Sequence, residues 1–248
     1  MPINRKAWKI TPCLIFLFLF FPAPGGITLQ CIEPEQDYRK IFGGDWDKAE
    51  EFTRDNGEWM KRLSKILDIS YPEAVSVVFP ELVRYSALRD RIEVGLLQTL
   101  YINLGDEYAD FSTGFFQMKP SFAEAVHLNS HLLRGRLKNY FRNRAGKNSP
   151  REFRKDIVED MQKPWLQFIY LAAFIKICEA RFNLSDLDAE QRILFLSTAY
   201  NYSFLKNHDQ ILAMTGARYF TAGTTSSRQF AYSDISLYWF RMQGENIP

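Results

Sequence analysis

Histidine and cysteine are scarce in this chain, with three of each among 248 residues. His127 and His131 stand four apart, on one face if that segment is helical, with no third ligand near them; His208 is remote. A metal centre needs three or four converging donors, so neither a metal nor a cofactor is expected. Cys31 and Cys178 suit a disulfide in an oxidising compartment, and Cys178 in its apolar run equally suits a buried thiol. Acylation of Cys31 is a further reading, against which Gln30 is large for the residue that usually precedes a lipidated cysteine.

A membrane-length apolar run is missing too. Cys13 to Phe21 is well short of the roughly 20 residues that a spanning helix needs. Arg5, Lys6 and Lys9 precede it and Pro22-Ala23-Pro24-Gly25-Gly26 follow, the order of a secretory signal peptide. An uncleaved anchor is the other reading, and no small-x-small triplet marks a cleavage point. Without residues 1–26 the chain holds 28 basic and 29 acidic residues. The excess of positive charge that marks nucleic-acid binders is therefore absent. There is also no internal repeat, low-complexity tract or interdomain linker. The expected organisation is a signal peptide over 1–26, an extension over 27–44 and one helical domain over 45–248, with no transmembrane span in the mature chain.

What is present is apolar and aromatic. Hydrophobic residues make up 46% and aromatics 15%, enough for a sizeable core. Trp46, Ala49, Phe52, Trp59, Leu63, Ile66 and Leu67 share one face of a helix that Asp45 can cap and Gly57 can divide. Tyr71-Pro72 opens an apolar helix that runs into Phe79-Pro80-Glu81. Ile92, Leu96, Leu100 and Leu104 mark another, stopped by Gly105. One or two helices are expected over Pro120 to Leu137. A buried helix is expected over Pro164 to Phe182, another over Asp188 to Tyr200, and an aromatic one near Tyr232 to Phe240 after a Ser/Thr/Gly-rich loop.

Two sites carry candidate chemistry. Glu81 follows a strongly hydrophobic segment; partial burial would raise its pKa and keep it protonated near neutrality, as a general acid requires. The equally weighted reading pairs it with Arg84 or Arg89 at the surface. Asp110 to Ala123 holds Gly114, then Gln117 among Phe115, Phe116 and Met118, then Pro120. It reads as a tight turn into a helix, and its neutral amide among aromatics suits an uncharged polar ligand such as a sugar. Between Arg134 and Lys155 nine basic residues face Glu152 alone, which reads as a solvated helix end and loop or as a surface for an anionic partner.

Three separated pieces resemble the lytic transglycosylases in matching order. Thr113-Gly114-Phe115-Phe116-Gln117-Met118-Lys119-Pro120-Ser121-Phe122-Ala123 is similar to that family's Gly-Leu-Met-Gln segment. Ser197-Thr198-Ala199-Tyr200-Asn201 is similar to its Ala-Ala-Tyr-Asn segment, and Val77 to Leu82 to the helix ending in its catalytic glutamate. Leu82 replaces the usual serine, no glycine follows Tyr202, and the 36 residues from Glu81 to Gln117 are a longer gap than usual. The resemblance implies a mainly α, lysozyme-like fold with little or no sheet and a helical insertion in that gap. It implies Glu81 as the lone acid and base that cleaves peptidoglycan glycan strands, giving 1,6-anhydro ends. Ser112, Gly114, Phe116, Gln117, Tyr200 and Asn201 would hold the sugar, and Glu93 and Glu107 compete with Glu81. Asp110 would be the second carboxylate of a hydrolase, the muramidase alternative. A chain that has lost catalysis but still binds peptidoglycan or an envelope partner through Arg134 to Lys155 is the non-enzymatic alternative. The implied location is the periplasm of a Gram-negative bacterium, with or without outer-membrane association.

Overall fold

The computed structural model describes residues 36–87, 94–144, 149–221 and 228–245. The leader, Cys13, Cys31 and Glu93 lie outside them. Among the described residues there are eleven α-helices and one two-stranded sheet, so the fold is mainly α. In chain order the helices are α1 (Tyr38–Phe42), α2 (Gly44–Leu67), α3 (Tyr71–Ala87), α4 (Val94–Leu104), α5 (Pro120–Leu128) and α6 (Gly135–Arg144). They continue with α7 (Pro150–Met161), α8 (Pro164–Arg181), α9 (Ala189–Asn201), α10 (His208–Leu212) and α11 (Tyr232–Glu245). β1 (Arg218–Phe220) and β2 (Phe230–Ala231) pair antiparallel, with Phe220 opposite Phe230.

Local chemistry sets most of these boundaries. Pro120, Pro150 and Pro164 stand in first turns, where the missing N–H leaves no intrahelical bond unmade. Ser149, Asp188 and Asn207 close reciprocal capping boxes with Glu152, Gln191 and Gln210. Gly105, at φ +102°, ends α4 by returning its N–H to the Tyr101 carbonyl at 2.8 Å. α2 differs from expectation: Gly57 does not divide it but is buried inside it, and Gly43 rather than Asp45 stands at its cap.

The core is layered around α3, which packs against α2, α9 and α11. α8 has apolar residues on nearly every side, and Phe168, Tyr170, Phe174, Ile175 and Cys178 are fully enclosed, as befits a helix surrounded by others. Burial pushes the Cys178 thiol far up. Trp46 meets Phe79 edge-on at 4.6 Å, and Phe79 stacks on Trp239 at 3.8 Å, tying α2, α3 and α11 together. α1 falls within the stretch read as an extension, yet Tyr38 is buried against Phe230 and Tyr238. The compact unit therefore begins at Asp37.

α4 corrects one expectation. Leu96 and Leu104 were expected on a buried face but are 68% and 51% exposed, whereas Tyr101 is fully buried. The side of α4 that turns inward is the one that carries Tyr101, with Leu97 and Leu100 packed partly against the core. Tyr101 instead donates its hydroxyl to Glu124 of α5 at 2.6 Å. The histidines also part. His127 of α5 lies 2.8 Å from the Tyr170 hydroxyl, while His131 sits in the separate Ser130–Leu132 turn. No helix among the described residues is long and apolar enough to cross a membrane.

Candidate active site

Glu81 is not at the end of its helix, as the sequence suggested, but inside α3 with six residues beyond it. Pro80 precedes it and has no N–H to return to the Ser76 carbonyl. One turn back from Glu81, the Val77 carbonyl accepts the hydroxyl of Tyr232 at 3.0 Å. Glu81 is 4% exposed, and the pKa of its carboxyl is raised to about 7. Loss of solvation is the dominant cause. The Arg84 guanidinium opposes it, one nitrogen lying 3.1 Å from each carboxyl oxygen, and Lys119 opposes it weakly. The acid reading and the ion-pair reading thus meet in one place: Arg84 is the partner, but the Glu81 carboxyl is buried and Arg84 is only partly exposed.

Arg84 is itself held by the small sheet. Its guanidinium carbon sits 4.2 Å from the centre of the Phe220 ring, a cation–π contact against a fully buried face. Leu82, the next residue of α3, is buried in the core.

The glutamine stretch forms the expected turn. Thr113 and Met118 exchange both backbone hydrogen bonds, at 3.0 and 3.1 Å, around Gly114 to Gln117. Gly114 and Gln117 both have left-handed backbones, at φ +71° and +46°. The side-chain nitrogen of Gln117 closes the turn by donating to the Gly114 carbonyl at 2.7 Å. Phe116, expected to touch sugar, is fully buried; it serves the site through its backbone. Its carbonyl accepts the Tyr200 hydroxyl at 2.7 Å, and its N–H donates to the side-chain oxygen of Gln167 at 3.1 Å.

Gln167 is the residue the sequence reading missed. From the first turns of buried α8 its amide nitrogen donates to the Thr113 and Met161 carbonyls at 2.8 and 2.7 Å. Gly114 leaves room for it: a Cβ at 114 would fall 1.9 Å from that nitrogen and 2.7 Å from the Met161 carbonyl oxygen. Gly114→Ala is therefore expected to destabilise the fold by about 2–5 kcal/mol, from left-handed strain plus overpacking, measured by urea unfolding.

Tyr200, at the last turn of α9, completes the enclosure. Burial, and secondarily the nearby charge of Glu81, drives its hydroxyl well above the ordinary tyrosine range. Tyr232, also missed, is fully enclosed and feels Glu81 in the same way. Asn201 reaches outward to the Tyr219 hydroxyl at 3.2 Å and braces α9 against β1. Ser112 is half-buried at the turn's edge, and Glu107 is exposed in the turn after Gly105. Asp110 is exposed, accepting the Ser121 N–H at 3.2 Å and pairing with Lys119 at 3.2 Å, so it caps the start of α5. The structure thus brings together Glu81, Tyr200, the Phe116 backbone and the Gly114–Gln117 turn. Compared with protein-family models, with curated proteins and with solved structures, the chain matches none of them.

Proposed function

We propose that this chain is a peptidoglycan lytic transglycosylase of lysozyme-like fold acting outside the inner membrane. The observation that supports it most is the buried carboxyl of Glu81, balanced near neutrality, beside a tyrosine that hydrogen-bonds the glutamine turn. A single such group serves both halves of the reaction. Protonated Glu81 gives its proton to the glycosidic oxygen as the bond from C1 of N-acetylmuramic acid breaks. The resulting carboxylate takes the proton of the same sugar's 6-hydroxyl as O6 closes on C1. The acid is regenerated, and neither water nor a second carboxylate is consumed.

Tyr200 and the turn it holds would fix the sugar relative to the acid, with Gln117 at the rim. Since Glu81 is almost closed off, the reading requires Arg84 and its neighbours to part when glycan enters. Arg84 also has a defined electrostatic effect, because its charge restrains the rise that burial imposes on Glu81. Arg84→Met is expected to raise that pKa and move the alkaline limb of the kcat/KM profile to higher pH. An unmoved limb would separate Glu81 from the acid role. The direct test of activity is zymography of the purified full chain on peptidoglycan: a cleared zone is expected, and an intact gel would refute the proposal.

A further inference from the structure

The basic run from Arg134 to Lys155 divides into two parts with different duties. Arg151 donates to the Asn103 side chain at 3.0 Å. Arg154 donates to the Ile102 and Asn103 carbonyls at 3.0 and 3.3 Å, capping the end of α4, and Lys155 pairs with Glu159. Arg151 and Arg154 thus fasten α7 to α4, while the Lys155 pair lies within α7. Arg134, Arg136 and Lys138 do something else. All three are exposed on the wall of a cavity of about 860 Å³, and no carboxylate pairs with them among the described residues.

That cavity opens between the C-terminal end of α2, the start of α6 and the later turns of α8. Its other charges balance one another: Lys176 pairs with Asp68 at 3.4 Å and with Glu179 at 3.1 Å. Apart from His131 the remaining wall is mostly aliphatic, with Ile66 half exposed and Leu67 and Leu132 beside it. Among the described residues no Phe, Tyr or Trp lines it, and the imidazole of His131, whose Nδ1 lies 3.1 Å from the Leu128 carbonyl oxygen, is a small platform for stacking bases. With Asp68 and Glu179 both paired to Lys176, Arg134, Arg136 and Lys138 leave the cavity attractive to anions. Well-separated carboxylates joined by aliphatic groups fit these constraints better.

We propose that this cavity docks an acidic, aliphatic-rich peptide segment of a partner protein. Carboxylates of the segment meet the Arg134 and Arg136 guanidinium groups and the Lys138 ammonium, the arginines offering two-pronged hydrogen bonding. Aliphatic side chains cover Ile66 and Leu132. Binding weakens with salt, because the cations are solvent-exposed.

The test is fluorescence anisotropy on the full chain with three labelled 12-residue peptides, built from Glu and Leu, Lys and Leu, or Glu and Ser, and with a 12-nucleotide single-stranded DNA. The Glu/Leu peptide is expected to bind at least about 10-fold more tightly than the others, a difference of about 1.4 kcal/mol. Arg134→Glu with Arg136→Glu, and separately Ile66→Asp, should each weaken it at least about 10-fold without changing the melting temperature. Equal binding of the Glu/Ser peptide or the DNA would overturn the proposal in favour of a general anion patch. Unchanged binding by the charge-reversed chain, or no binding of the Glu/Leu peptide at millimolar concentration, would overturn it as well.

Discussion

Glu81→Gln is expected to lower the rate of peptidoglycan cleavage at least about 1,000-fold while leaving the fold intact. The amide matches the carboxyl in size but has no proton to give and no basic oxygen to receive one. General acid–base contributions of 10²–10⁴ are usual for a single group, and here one group would act in both halves of the reaction. The same substitution has an effect on stability that does not depend on catalysis. Below about pH 4.5 the carboxyl is protonated in both the folded and unfolded chain. Between there and about pH 7 only the unfolded chain has released the proton, so unfolding becomes easier as pH rises. Above about 7 both forms are ionised and the loss is complete, about 3 kcal/mol in all. In urea melts across this range the wild-type protein should lose that stability and Glu81→Gln should not. Parallel curves for the two would mean that Glu81 is solvated in the folded chain.

Gln167→Leu carries the second large effect. The leucine fits the space, yet it strands two buried groups, the Phe116 N–H and the Met161 carbonyl, and leaves the Thr113 carbonyl with the Met118 N–H alone. Each unsatisfied group costs about 1–3 kcal/mol, so a loss of about 2–6 kcal/mol is expected, a large part of the 5–15 kcal/mol that holds a typical domain together. The 113–118 turn loses its anchor to α8, and the Phe116 carbonyl no longer meets Tyr200 squarely. Activity should therefore fall even at temperatures where the variant is folded, which circular dichroism and a cleavage assay on one sample would show. A loss below about 1 kcal/mol would mean that the turn holds itself.

Much of the helical frame was legible because its signals are local. Pro164, Asp188 and Gly105 each act within a turn of their own position, and α8 announced itself by an apolar run too long for one face. The turn around Gly114 was legible from its glycine and the proline after it. Gln167 was not, although the signal existed: a glutamine at a position fully enclosed among apolar neighbours must have partners. Two of those partners, Thr113 and Phe116, lie more than 50 residues away, and no spacing rule reaches that far. β1 and β2 are three and two residues long, too short for an alternating pattern, so the Phe220 ring that supports Arg84 could not be anticipated. Glu81 was singled out for its burial, and burial is what perturbs it. The error concerned the helix end, since Pro80 does not stop α3.

The proposed activity rests on what kind of end Glu81 leaves on a glycan strand. Mass spectrometry of purified peptidoglycan digested with the full chain answers this directly. Fragments ending in 1,6-anhydro-N-acetylmuramic acid are expected with the wild-type protein and none with Glu81→Gln. Reducing ends from the wild-type chain, or anhydro ends from the variant, would contradict it.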